Sequence, residues 1–113
     1  MAKLPVETTT LVNQLKQQAL ELVDLSLSLE LKIYQQFGET ELTFAALDEM
    51  KNVGEDATSA YSQLSNLQLQ IATIQPEVPS DVLKLLQSAI ERIQLRLPAL
   101  ERSITETQQD YGI

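Results

Sequence analysis

Residues 24–33 read Asp-Leu-Ser-Leu-Ser-Leu-Glu-Leu-Lys-Ile, and the structure of this stretch decides the fold. Its strict alternation of polar and apolar residues is typical of a half-buried strand. A longer pattern favours a helix, because polar residues also recur every three or four positions down one helical side. That polar set consists of Gln14, Gln17, Glu21, Asp24, Ser28, Lys32 and Gln35. Leucine favours helices, and the chain offers no second convincing strand as a partner. We therefore predict a helix.

Two loop signals divide the chain into three segments of similar length. Residues 37–40 read Phe-Gly-Glu-Thr, and residues 75–80 read Gln-Pro-Glu-Val-Pro-Ser. The helices predicted between these signals span residues 7–37, 43–75 and 81–109. Apolar residues keep helical spacing through Gly54, which predicts one long second helix although an internal glycine costs about 1 kcal/mol.

Residue types indicate where the second and third helices begin. Thr43 and Ser80 are placed as N-cap residues. Pro98 falls inside the third segment on the side away from its apolar seam, so we predict a kink rather than an end. We expect the tail from Gln108 to Ile113 to fray.

These elements predict an all-α fold, an up-down-up antiparallel three-helix bundle in one domain of residues 1–113. At 1.5 Å per residue, helices of this length measure about 45 Å. A chain of 113 residues can bury a core without disulfides or metals. In length and layout the chain resembles a spectrin-type repeat, a likeness of shape alone.

The composition excludes several classes of function. The chain has no cysteine and no histidine, which removes thiolate nucleophiles, histidine-based triads and imidazole or thiolate metal sites. No other residue set amounts to a catalytic signature. A net charge of −8 repels nucleic-acid phosphates and anionic lipids. We therefore predict no enzyme, no cofactor and no bound metal.

The hydropathy of the chain points to the cytoplasm. The longest unbroken apolar run is residues 44–47, Phe-Ala-Ala-Leu, whereas a membrane span needs about 20 such residues. Residues 1–7 lack the apolar stretch of a signal peptide. We expect a cytoplasmic protein that does not enter the membrane.

The first predicted helix carries more apolar surface than a three-helix bundle needs. At 100° per residue its apolar arc covers roughly 240° of the circumference. One part comprises Leu11, Leu15, Leu22, Leu25, Leu29 and Ile33, and the other comprises Val12, Ala19, Leu20, Val23, Leu27, Leu31 and Tyr34, with Ser26 and Glu30 at their boundary. Either the helix is buried on most sides within its own chain, or one part contacts another chain.

We favour the second alternative and predict a homodimer. The predicted interface consists of Leu20, Val23, Leu27, Leu31 and Tyr34. An exposed apolar strip is a liability on a monomer, and a two-fold interface is the commonest way to cover one. Leu95, on the polar side of the third helix, is a second candidate contact.

The charges suggest two further surfaces. A possible acidic docking patch for a basic protein partner comprises Glu39, Glu41, Asp48, Glu49, Glu55 and Asp56. Arg92, Arg96 and Arg102 form the basic concentration of the chain. The predicted function is a non-enzymatic interaction or assembly protein. The alternative is a regulator of a nucleic-acid process, acting through the arginine patch or as an acidic decoy.

Overall fold

The computed structural model describes residues 4–113, which form three long helices. They are α1 (Val6–Phe37), α2 (Phe44–Thr73) and α3 (Ser80–Tyr111). No strand occurs within the described range. The helical prediction for residues 24–33 is therefore confirmed, as is the all-α three-helix bundle. The second helix passes through Gly54 without a break.

Side-chain hydrogen bonds join neighbouring helices. Asn13 near the start of α1 accepts a hydrogen bond from Gln68 near the end of α2 (3.0 Å). Glu49 early in α2 accepts one from Ser103 late in α3 (2.6 Å). Each of these contacts joins the first part of one helix to the last part of the next. The up-down-up order stays a prediction.

One apolar stripe from each helix builds the core. The buried side chains of α1 recur at alternating steps of three and four, the spacing of coiled-coil seams. They are Val12, Leu15, Ala19, Leu22, Ser26, Leu29 and Ile33. The buried residues of α2 are Leu47, Met50, Val53, Gly54, Ala57, Ala60, Leu64 and Ile71, and those of α3 are Leu86, Ala89, Ile90, Ile93, Leu97, Leu100, Ile104 and Thr107. The molecule is a rod measuring 56 × 19 × 17 Å.

Thr43 occupies the N-cap position of α2, but its hydroxyl does not cap the helix. It accepts a hydrogen bond from the Thr40 N–H (2.9 Å) and donates one to the Gly38 carbonyl (2.7 Å). Thr43 is buried, so these bonds close the loop between α1 and α2 from within. Ser80 is the first residue of α3 rather than its cap, because Pro79 holds the N-cap position.

The C-terminal tail is ordered, and the prediction that it frays is wrong. Helix α3 continues to Tyr111 and ends at Gly112, whose left-handed conformation (φ +67°) suits glycine. The Tyr111 ring packs against Phe37 with centroids 5.2 Å apart, and Ile113 lies partly buried against the core. Apolar contacts with the end of α1 therefore hold this segment in place.

Pro98 lies exposed inside α3, which is continuous on both sides of it. The ring removes one backbone hydrogen-bond donor. The kink expected at this residue stays a prediction.

Candidate protein interface

The five residues predicted to form the dimer interface lie together on the surface of α1. We call Leu20, Val23, Leu27, Leu31 and Tyr34 the α1 stripe. Leu20, Leu27, Leu31 and Tyr34 expose 45%, 44%, 55% and 56% of their surfaces, while Val23 is partly buried and packs against the core. At 100° per residue all five lie within about 40° of Leu27 around the helix axis.

The core of α1 runs between the two apolar parts seen in the sequence. Val12 and Ala19 from one part and Leu15 and Leu22 from the other point inward. Ser26, expected at the boundary, is fully buried, and its hydroxyl donates to the Val23 carbonyl (3.2 Å). The alternative in which α1 is buried on most sides does not hold for this chain by itself, since four of the five residues of the α1 stripe are exposed.

A glycine on α2 explains why Ser26 is buried and how Leu27 is seated. A Cβ atom added to Gly54 would stand 3.1 Å from both the Ser26 Oγ and the Leu27 Cδ2 atoms. Without that Cβ, α2 approaches α1 closely at this level, and a small polar residue fits between the helices. The side chain of Leu27 then lies over the glycine backbone while part of it still faces solvent.

Beside the C-terminal half of the α1 stripe there is a shallow groove of about 260 Å³. Its walls are Leu27, Glu30, Leu31, Tyr34, Glu39 and Leu47. Leucine and tyrosine side chains supply apolar surface and the two glutamates supply negative charge, so the groove suits an apolar side chain accompanied by a cation.

Further apolar residues are exposed where α1 ends and α2 begins. Phe37, Leu42 and Phe44 are exposed there. Phe37 follows Tyr34 by three residues on the same helix, so continuing the spacing of the stripe would have found it. The sequence offers no comparable signal for Leu42 and Phe44, which belong to the loop and the start of α2.

Lys16 also lies in line with the α1 stripe and was missed by the sequence analysis. Its Nζ atom donates to Gln68 Oε1 (2.8 Å) and stands 5.1 Å from the centroid of the Tyr61 ring. Both are neutral groups, so these contacts hold the cation without neutralising its charge.

The six predicted acidic residues lie on α2 and on the loop before it, and they have different neighbours. Glu39 borders the groove beside the α1 stripe. Glu49 and Asp56 face α3, where they contact Ser103 and Arg96. Asp48, Glu55 and Glu41 are exposed, the first two on α2 and the last in the loop before it.

The arginines are likewise divided between different surroundings. Arg92 donates to Gln63, and Arg96 forms a salt bridge with Asp56 (2.5 Å). Both line a groove of about 450 Å³ between α2 and α3, which Leu95 also borders with 80% of its surface exposed. Arg102 is exposed and does not line this groove.

Comparison with known proteins gives no family to assign. No protein-family model, curated protein or solved structure matches this chain. Among residues 4–113, no helix is both long enough and apolar enough to cross a membrane. Within the same residues, no cluster of three or more acidic side chains is arranged to hold a metal ion. The site is therefore interpreted from its own geometry.

Proposed function

We propose that this chain is a non-enzymatic assembly protein that forms a homodimer through the α1 stripe. One observation carries the proposal: the core of the bundle uses one side of α1, and a second apolar row stays half exposed along the same helix. Covering that row with a second copy removes apolar area from water, which favours association in proportion to the area buried.

The layout of the row supports a helix-to-helix contact. Its members recur at steps of three and four residues, so they form one continuous ridge of the kind that packs against another helix. A two-fold axis lets the same ridge serve on both partners. We further propose that the chain acts in the cytoplasm.

The nucleic-acid alternative has weaker support from the geometry. Arg92 and Arg96 already bond to side chains of α2, and Arg102 does not line the groove that they share. Phosphate binding depends on several cations released to the ligand together. Two of the three arginines would first have to give up partners within the bundle.

Light scattering on a sizing column tests the proposal through the absolute mass of the protein. We expect a dimer at micromolar concentration and a monomer for Leu27→Glu, because the substitution places a charge in the centre of the apolar contact. Leu25→Glu is the matched control, since Leu25 is exposed to the same degree (45% against 44%) on another side of α1. A monomeric wild-type chain, or equal masses for wild type and Leu27→Glu, would refute the proposal.

A further inference from the structure

We infer that the two copies pair their first helices antiparallel, around a two-fold axis that passes beside Leu27. This inference rests on the proposed homodimer and specifies its geometry. It follows from the spacing of the α1 stripe and from the charges at its two ends.

The α1 stripe has the same spacing in both directions. Its steps are three, four, four and three residues, with Leu27 at the centre. An antiparallel two-fold at Leu27 therefore places Leu20 opposite Tyr34 of the other copy, and Val23 opposite Leu31. This is the reciprocal pattern of a two-fold interface, in which each contact occurs twice and the central residue meets itself.

The contact with Gly54 holds the side chain of Leu27, the central residue of the α1 stripe, in place. The side chain of Leu27 lies over the Gly54 backbone, and its Cδ2 atom is 3.1 Å from where a Cβ atom at residue 54 would lie. A central side chain that is already held in place loses less freedom when the copies meet, which favours association.

Charges at the ends of the stripe decide between antiparallel and parallel pairing. Lys16 lies eleven residues before Leu27, and Glu39, which lines the groove, lies twelve residues after it. Antiparallel pairing brings Lys16 of each copy toward Glu39 of the other. Parallel pairing in register would instead set Lys16 against Lys16 and Glu39 against Glu39, and like charges brought together across an interface are costly.

Engineered disulfides distinguish the two directions without interference, because the chain contains no cysteine. Three variants are needed: Leu20→Cys, Tyr34→Cys and Leu27→Cys. Each is first checked by light scattering for dimer formation. The Leu20→Cys chain carries a mass tag, and equal amounts of it and Tyr34→Cys are mixed and exposed to oxidised glutathione.

For antiparallel pairing we expect the mixed Leu20→Cys and Tyr34→Cys disulfide, and no disulfide when either variant is oxidised alone. The two copies of residue 20 would then be offset by fourteen residues, about 21 Å along the helix axis. A disulfide tolerates a Cα separation of only about 7 Å. Leu27→Cys should cross-link with itself, which shows that the two first helices face each other.

The other outcomes distinguish a failure of the antiparallel pairing from a failure of the homodimer. A dimer in which Leu20→Cys cross-links with itself, or in which Leu27→Cys does not, overturns the antiparallel pairing and leaves the homodimer standing. If the wild-type chain is a monomer by light scattering, the homodimer and the antiparallel pairing are both overturned.

Discussion

The side chain of Leu27 lies directly over the backbone of Gly54. Its Cδ2 atom is 3.1 Å from the position that a Cβ atom would occupy if residue 54 had a side chain. This contact joins two surfaces, because Gly54 is buried between α1 and α2 while Leu27 forms the centre of the exposed α1 stripe. Any side chain added at Gly54 must therefore move Leu27, Ser26 or the helix itself.

A double-mutant cycle on Gly54→Ala and Leu27→Ala measures this contact. Alanine stabilises a helix by about 1 kcal/mol relative to glycine. With Leu27 present, the close contact between its side chain and the added methyl group reduces this stabilisation. Truncating Leu27 removes its contact with the added methyl group, while the close contact with the Ser26 Oγ atom remains in both backgrounds. We expect Gly54→Ala to be more favourable by about 0.5–1 kcal/mol in the Leu27→Ala background.

Urea unfolding of the four members of the cycle gives the coupling energy. All four carry Leu31→Glu so that dimer formation does not contribute, since association raises the apparent stability of a folded protein. Identical effects of Gly54→Ala in both backgrounds would show that Leu27 and the added methyl group do not meet.

Replacing Pro98 with alanine should stabilise the protein. Proline inside a helix costs about 3 kcal/mol relative to alanine, and this one is exposed, so little packing is lost. We expect a gain of about 1–3 kcal/mol in the free energy of unfolding, measured by urea titration. Pro79→Ala is the control, because proline at the N-cap position removes no bond from the helix interior. No gain for Pro98→Ala would mean that α3 is shaped to depend on its proline.

Thr43→Val tests the hydroxyl that closes the loop between α1 and α2. The substitution keeps the shape of the side chain but removes the partner of the Thr40 N–H and of the Gly38 carbonyl. We expect a loss of about 1–3 kcal/mol in the free energy of unfolding, because two hydrogen bonds contribute roughly 0.5–1.5 kcal/mol each. Thr43→Ser retains the hydroxyl and should lose less than Thr43→Val. Equal losses in the two variants would contradict the role of the hydroxyl, because Thr43→Ser retains it and Thr43→Val does not.

Charge reversal tests the two ends of the antiparallel pair. Lys16→Glu alone sets two carboxylates opposite each other and should weaken the dimer, and Glu39→Lys alone does the same with two cations. We expect the double variant to recover much of the lost affinity, because the opposite charges meet again. The dimer dissociation constants come from sedimentation at low salt. An additive effect of the two reversals would contradict the pairing of Lys16 with Glu39.

The periodic parts of the fold could be predicted from the sequence. A polar stripe from Gln14 to Gln35 was enough to identify α1 against a ten-residue strand pattern, because it extends over twice that length. The phase of the apolar residues likewise carried α2 through Gly54. Periodicity was informative here because each helix is about 30 residues long and repeats its pattern many times.

The sequence could not show which part of α1 faces inward. Ser26 is polar and was expected at a boundary, yet it is buried because Gly54 of another helix leaves it room. The order of the tail depends in the same way on the distant Phe37, which packs on Tyr111. Both features come from pairs of residues far apart in the chain, and the spacing within one helix does not record them.

The rod shape of the bundle affects how this protein moves in solution. Its radius of gyration is 17.3 Å, whereas a compact chain of this length has about 13 Å. An elongated particle experiences more friction than a sphere of equal mass, so it diffuses more slowly and enters porous beads less readily. Even a single chain would therefore travel through a calibrated column at the position of a heavier spherical protein.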